Sequence, residues 1–145
     1  AERNPRYARL FSYAAALCRV LELKATVGTE LTEASRRGDR EALRRLAEER
    51  LPALGERVAE FQEAFYQSWM GENKPFGFEI IDIRLGGVMG RVRTARRRVT
   101  DYLDGRLDRL EELEQPRLFF DGQEDRKDIN TFCNDWSQIA TASVI

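Results

Sequence analysis

The sequence predicts an all-α protein: an antiparallel bundle of three long helices, one of them kinked or broken near Pro52, with an irregular C-terminal tail. Three observations lead to this fold class. Apolar residues recur at alternating steps of three and four over most of the chain, which is the period of one helix face. Glycine and proline interrupt that period at only a few places. The 145 residues are 42% hydrophobic and 34% charged, a balance typical of a folded domain rather than a disordered chain.

The first predicted helix starts near Tyr7 and ends before Gly38. Its apolar positions share one helical face, and we expect that face to lie in the core. They are Tyr7, Leu10, Phe11, Ala14, Leu17, Cys18, Leu21, Ala25, Gly28 and Leu31. Gly38 suits the end of a helix and Asp39 suits the N-cap of the next one, so a tight helical hairpin follows.

The second predicted helix carries an apolar stripe from Leu43 to Trp69, with Pro52 inside it. Proline removes one backbone hydrogen bond, and its ring clashes with the carbonyl four residues earlier. We therefore expect a kink or a short break near Leu51. Residues 71–77 hold two glycines and a proline, so they form a loop that ends the helix.

The third predicted helix runs from Phe78 through Leu113 and is expected to end at Pro116. Gly86 and Gly90 lie one turn apart near its start, and a glycine inside a helix costs about 1 kcal/mol relative to alanine. We expect close approach of another backbone or of a ligand to offset that cost. Residues 1–117 are assigned to the bundle, and residues 118–145 to a tail that packs on it.

The order of charges along the third helix also favours an antiparallel arrangement. Its first half is rich in arginine and its second half in acidic residues, opposite to what the helix dipole prefers. An antiparallel second helix would bring Arg40, Arg44 and Arg45 beside Asp104 and Asp108. Such pairs would select the register and orientation of the two helices rather than add much stability.

The composition argues against several kinds of site. The chain has no histidine, which removes the commonest general base and the commonest zinc ligand. Its two cysteines, Cys18 and Cys133, are too few for a disulfide scaffold or a thiolate metal site, so we expect buried free thiols and a reducing, cytoplasmic compartment. No phosphate-binding loop, dinucleotide fingerprint or metal-ligand cluster is present, so we expect neither a cofactor nor a metal.

Nucleic acid and membrane are not expected as partners. The net charge is −1, which gives no overall attraction for nucleic acid. The six arginines between Arg84 and Arg98 are interpreted as an ion-paired helix face, because no aromatic residues alternate with them. No apolar stretch approaches the ~20 residues of a membrane span. The chain starts with Ala1 rather than Met, which suggests a fragment of a longer protein.

The most unusual segment is residues 69–87, where aromatic residues, polar residues and glycines are combined in one turn and the helix after it. Generic helical hairpins do not need this mixture. An elaborate turn with buried polar anchors and a surface that docks onto another domain both fit it. The candidate interdomain or site-supporting residues are Trp69, Glu72, Asn73, Lys74, Phe76, Asp82, Arg84, Gly86 and Gly87.

This segment carries a family resemblance. Residues 72–79 (ENKPFGFE) and 82–87 (DIRLGG) resemble the C-terminal helical domain of bacterial glycoside hydrolase family 20 β-N-acetylhexosaminidases, of the streptococcal N-acetyl-β-D-glucosaminidase type. Residues 14–18, 38–43, 101–103 and the end of the chain resemble the same domain. The resemblance covers essentially the whole chain and departs from it in residues 118–128 and at Met89 and Gly90.

The resemblance implies an accessory domain of an enzyme that removes terminal N-acetylhexosamine from oligosaccharides. In that family an Asp–Glu pair on a TIM barrel does the chemistry, with the acetamido oxygen of the substrate as the nucleophile. The barrel is not in this chain, so no catalytic residue is assigned and the chain alone is expected to be inactive.

The partner implied by the resemblance is the chain's own barrel, with a homodimer as a second possibility. We expect Asp82 and Arg84 to be unpaired beside exposed Phe76 and Phe78, and we expect this surface to dock. A free-standing helical module that dimerises or binds another protein is the alternative.

Overall fold

The structure is a computed structural model that describes residues 4–114, and the described part is helical with no strand. After a 3₁₀ turn, Pro5–Tyr7, come α1 (Ala8–Arg36), α2 (Arg40–Arg45), a π-helical turn (Leu46–Arg50), α3 (Leu51–Glu72), α4 (Phe78–Leu103) and α5 (Glu111–Glu114). The predicted all-α fold class is confirmed. The boundary at residue 117, the tail and Cys133 lie outside the described residues.

The turn between α1 and α2 forms as the sequence predicts. Gly38 adopts a left-handed conformation with φ of 63°, which favours glycine. The backbone N–H of Asp39 donates to the Ala34 carbonyl (2.9 Å), and its side chain accepts from the N–H of Ala42 (2.9 Å). The Asp39 side chain is therefore the N-cap of α2.

Pro52 lies in the first turn of α3, directly after the π-helical turn. The N–H of Leu51 donates to the carbonyl of Leu46, five residues earlier rather than four. This wider turn gives the proline ring the room that α-helical geometry denies it. The expected irregularity near Leu51 thus takes the form of a π turn, and the helical path continues from Arg40 to Glu72.

Helix α3 lies between α1 and α4 and is antiparallel to both. Tyr13, near the start of α1, packs on Phe61 and Phe65 of α3, with ring centroids 5.4 and 4.8 Å apart. Phe78, at the start of α4, packs on the same Phe65 (5.9 Å). Among the described residues, no Cα atom of α1 lies within 8 Å of one of α4. The three long helices are therefore a row with α3 in the middle.

The core runs along this row. Leu43, Leu51 and Val58 are its largest fully buried side chains. At the end where α3 meets α4, the core becomes an aromatic cluster that joins Tyr13, Phe61, Phe65, Trp69 and Phe78. This cluster supports the segment singled out from the sequence.

The prediction that the third helix continues to Leu113 is wrong: α4 ends at Leu103. Gly105 is left-handed with φ of 75°, and the N–H of Arg106 donates to the Asp101 carbonyl (2.8 Å), which terminates the helix. The apolar period is misleading here, because Leu110 after the turn is buried in the same core.

Most residues of the apolar stripe predicted for α1 do not lie on the face of α1 that packs in the core. The side chains buried there are Ala16, Val20, Val27, Leu31 and Ala34, of which only Leu31 was in the predicted stripe. Leu10, Phe11 and Leu21 are about half exposed, and Cys18 is exposed as well, contrary to expectation. Helix α1 is apolar over a wider arc than α3 alone can cover.

The predicted ion pairs between the second and third helices do not form among the described residues. Arg44 pairs with Glu48 (3.5 Å) and Arg45 with Glu41 (2.8 Å), both on their own helical path. Arg40 instead donates to the backbone carbonyl of Leu103 (2.7 Å). The antiparallel orientation is correct, but apolar packing rather than charge carries it.

Candidate functional site

The turn between α3 and α4 is held by two hydrogen bonds of Trp69, one that its indole donates and one that its backbone carbonyl accepts. The indole N–H of Trp69 donates to the carbonyl of Lys74 (2.8 Å), which ties the last full turn of α3 to the loop. The N–H of Asn73 donates to the carbonyl of Trp69 (2.8 Å), and Asn73 is extended, so α3 cannot continue. The loop therefore leaves α3 in a fixed direction.

The entry into α4 requires a glycine. Gly77 is left-handed with φ of 95°, and a Cβ atom there would lie 3.5 Å from the Trp69 ring. Its N–H donates to a carboxylate oxygen of Glu79 (2.8 Å), which satisfies a backbone donor at the start of the helix. Both residues lie in the run that carries the family resemblance.

The aromatic cluster lies directly beneath this turn. Phe78 is only 5% exposed, and its ring contacts those of Phe65, Tyr66 and Trp69 at centroid distances of 5.6 to 6.0 Å. The expectation that Phe78 is exposed is therefore wrong. Its burial anchors the first residue of α4 and leaves the neighbouring residues to face outward.

A surface of exposed apolar residues extends from the turn along α4. Phe76 is 81% exposed and Ile83 is 71% exposed, with Ile80 about half exposed on the same side of the helix. Gly86, Gly87 and Gly90 follow on that side at helical spacing. Together with Arg84 beside them, we call these residues the α4 surface: Phe76, Ile80, Ile83, Arg84, Gly86, Gly87 and Gly90.

Two glycines of the α4 surface, Gly86 and Gly90, are open. A Cβ atom built on Gly86 or on Gly90 would meet no heavy atom within 4 Å. The close approach predicted for them is thus not made by any residue between 4 and 114. The glycine side of α4 remains accessible to something other than the described chain.

Charged and polar residues border this surface. Asp82 accepts a hydrogen bond from the side-chain amide of Gln62 (2.8 Å), so the expectation that it is unpaired is wrong. Arg84 is exposed and makes no hydrogen bond or ion pair with residues 4–114. Glu72, Asn73 and Lys74 are exposed at the turn. An apolar centre with a polar rim is the usual composition of a protein interface.

The structure brings most of the sequence candidates together, with different roles. Trp69 builds the turn, whereas Phe76, Arg84, Gly86 and Gly87 belong to the α4 surface. Ile80 and Ile83 were not among the candidates. The signal for them in the sequence is that they are β-branched residues outside the core-facing stripe of α4, which consists of Phe78, Ile81, Leu85 and Val88.

Elsewhere in residues 4–114, the chemistry is that of a charged helical surface. No group of three or more His, Cys, Asp or Glu residues in that range is placed to hold a metal ion. Arg98 makes two hydrogen bonds to the Glu112 carboxylate (2.9 and 3.0 Å), and these bonds lower the pKa of Glu112. In the part of the chain that is described, no helix has the length and apolar character to cross a membrane.

These features define a helical domain that presents a preformed apolar surface at the turn before α4 and along the first turns of α4. The sequence model of the family described as Glycoside Hydrolase 20C C-terminal domain matches residues 1–133, and the chain belongs to this family. A domain of this kind is an accessory domain of a family 20 hexosaminidase and is linked to a catalytic domain in the full-length protein. A comparison with curated proteins finds no significant match.

Proposed function

We propose that this domain supports the catalytic barrel of a β-N-acetylhexosaminidase, or the assembly of its subunits, by docking through the α4 surface. The observation that carries the proposal is the exposure of Phe76, on a turn whose backbone is fixed by hydrogen bonds, and of Ile83, in the helix that follows that turn. Fully burying a side chain of this size contributes about 1.5–3 kcal/mol. A monomer that leaves two of them in water has a surface suited to a partner.

The rigidity of the turn strengthens this argument. Trp69 and Gly77 fix the backbone on either side of Phe76 before any partner arrives. A preformed surface loses less conformational freedom on docking than a flexible loop does. The same exposed residues on a mobile loop would bind more weakly.

The glycines indicate how close the partner comes. Without side chains at Gly86 and Gly90, a partner backbone can pack directly against α4. The helix accepts a propensity cost of about 1 kcal/mol at each glycine, and close packing would offset it.

Arg84 supplies a directional contact at the edge of this surface. Its guanidinium offers five N–H donors and makes no hydrogen bond or ion pair elsewhere in residues 4–114. A carboxylate or a set of backbone carbonyls on a barrel loop would match those donors. Arg84 would then hold the loop in shape without touching the substrate. Asp82, whose carboxylate also accepts from Gln62, could contact a barrel loop only as a hydrogen-bond acceptor.

The test uses the full-length enzyme, assayed for N-acetylglucosaminidase activity and, by light scattering, for the number of subunits. Truncation before Ala1 and the substitution Arg84→Ala are both expected to lower activity or to change the number of subunits. The matched control is Arg36→Ala, an exposed arginine at the end of α1, on a different helix from the α4 surface. If Arg84→Ala and the truncation leave activity and the number of subunits unchanged, the supporting role is wrong.

The catalytic residues are assigned to the barrel, so the chain alone is expected to be inactive. Turnover of a chromogenic N-acetylglucosaminide by the purified 145-residue chain would contradict this assignment.

A free-standing dimerisation module is the second candidate, because two copies could pack glycine side to glycine side. In that case the 145-residue chain would be a dimer by light scattering, and Ile83→Asp would make it a monomer. A monomeric 145-residue chain would argue for the barrel as the partner.

A further inference from the structure

A second apolar surface lies on α1, at the opposite edge of the row of helices. It consists of Leu10, Phe11, Ala14, Cys18 and Leu21, all of which are exposed. Leu10 and Phe11 are 53% and 51% exposed. We call these five residues the α1 flank, since they lie beside the face that packs on α3.

The polar contacts of α1 show which way this flank points. Arg19 pairs with Glu60, and Glu30 pairs with Arg50, on the other flank of α1. On α3, Gly55 and Gln62 contact α4. Glu60 of α3 and Arg50, which directly precedes α3, lie on the side of the helix that faces away from those two residues. Leu10 and Leu21, at one edge of the α1 flank, therefore border the gap between α1 and α4, and Phe11 and Cys18 continue the flank around the outer side of α1.

The described chain ends at one end of this gap. Leu110 is buried in the core, and α5 lies against α1. From α5, Glu112 reaches across to α4 and binds Arg98 through both carboxylate oxygens. At Glu114 the chain therefore lies between α1 and α4, next to the gap between these two helices.

The chain beyond Glu114 has the length and composition to cover this flank. Residues 115–145 can span about 46 Å as a helix or about 100 Å fully extended. Helix α1, with 29 residues, is about 44 Å long. The large apolar residues in this stretch include Leu118, Phe119, Phe120, Phe132, Trp136 and Ile139.

The family match supports the same conclusion. It runs through residue 133, well past the end of α5, so at least residues 115–133 belong to this domain. A segment that is part of the domain is expected to share its core, and the α1 flank is where that core is uncovered.

From these observations we infer that residues 115–145 fold back along α1 and bury the α1 flank. The gap between α1 and α4 is then closed by the chain's own C-terminal segment rather than by a partner. This inference is independent of the proposed docking function, because it concerns a different surface.

Cys18, an exposed member of the flank, provides the first test. With Cys133→Ser in place, Cys18 is the single thiol, and its alkylation rate by a small maleimide is compared in two chains. One chain has all 145 residues and the other stops at Glu114. We expect Cys18 to react about tenfold faster in the shorter chain.

The matched control moves the thiol to the polar flank of α1, where Ser12 is exposed. The control variant carries Cys18→Ser and Ser12→Cys in the same Cys133→Ser background. Its alkylation rate should be the same in both lengths of chain. Equal alkylation rates for Cys18 in both lengths of chain would overturn the inference. Protection of Cys18 that appears only as the protein concentration rises would also overturn it, because a second copy of the chain would then bury the α1 flank.

A second experiment avoids truncation, in case the shorter chain does not fold. Cys18 and Cys133 are the only cysteines of the chain, and a short bismaleimide can link them within one molecule. We expect most of the protein to be linked, and several-fold less in the variant with Cys18→Ser and Ser12→Cys. Equal yields from the two positions, or mainly intermolecular links at low micromolar concentration, would contradict the inference.

Discussion

Replacing the glycines of the α4 surface by alanine should stabilise the isolated chain. Gly86 and Gly90 lie inside α4, and a methyl group at either position would meet no heavy atom within 4 Å. Neither has a positive φ, so alanine fits the backbone without strain. Alanine is favoured over glycine in a helix interior by about 1 kcal/mol, and the measured gain is often nearer 0.5 kcal/mol.

The double variant Gly86→Ala/Gly90→Ala should therefore raise the free energy of unfolding by about 1–2 kcal/mol. For a domain of this size, such a gain raises the melting temperature by roughly 3–8 °C. Urea unfolding of the 145-residue chain, followed by circular dichroism, measures the first quantity, and a thermal scan measures the second.

Gly77 is the matched control, because its backbone conformation requires glycine. Gly77 has φ of 95°, and a Cβ atom built on it would lie 3.5 Å from the Trp69 ring. Gly77→Ala should lower the free energy of unfolding by about 1–2 kcal/mol.

One result would refute the reasoning about the open glycines. If Gly86→Ala/Gly90→Ala destabilises the 145-residue chain, another part of that chain must already pack against them. The α4 surface would then not be free for a partner. If the prediction holds, the same double variant in the full-length enzyme is expected to weaken assembly or activity, because the added methyl groups would block close approach.

Three further predictions concern single contacts. Asp39→Ala should cost about 1 kcal/mol in urea unfolding, because α2 loses its N-cap. Trp69→Phe should cost a similar amount, about 1 kcal/mol, because the Lys74 carbonyl loses its donor while the ring packing is kept. The hydrogen bonds from Arg98 lower the pKa of Glu112 from its ordinary 4.5, so their stabilisation is present above that pH and is lost as the pH falls through the folded-state pKa. The difference in unfolding free energy between the native chain and Glu112→Gln should therefore be constant near neutral pH and shrink as the pH falls below about 4.5.

The parts of the fold that could be predicted are those set by local chemistry. Gly38 and Asp39 define the first turn because a left-handed backbone and a side-chain cap depend on one residue each. Pro52 predicts an irregular helix for the same reason, although not that the irregularity is a π turn. The loop before α4 follows from Pro75 and Gly77, although α3 continues through Gly71 and Glu72, so that the loop is residues 73–77 rather than the predicted 71–77.

The parts that could not be predicted depend on tertiary packing. Periodicity shows that α1 is amphipathic, but α1 is apolar over too wide an arc for the period to tell which part α3 covers. Periodicity also continues through Gly105, because Leu110 reaches the same core from beyond the end of α4. In both cases the sequence shows that a residue is apolar, but the position of the neighbouring helix determines whether that residue is buried.

The candidate site divides in the same way. The special conformation at Gly77 and the unusual mixture around it are visible in the sequence. The burial of Phe78, the exposure of Ile83 and the bond between Asp82 and Gln62 are not, since each depends on how α4 lies against α3.

The row arrangement of the long helices also affects how the chain folds. Because the Cα atoms of α3 approach those of α1 and of α4 within 8 Å, whereas those of α1 and α4 do not approach each other so closely, each close long-helix interface among the described residues joins helices that follow one another along the chain. Formation of either helical hairpin closes only a short connection, and neither has to wait for the other. Low contact order of this kind is typical of helical domains that fold in microseconds to milliseconds. Rapid-mixing refolding of the domain should accordingly be complete within milliseconds.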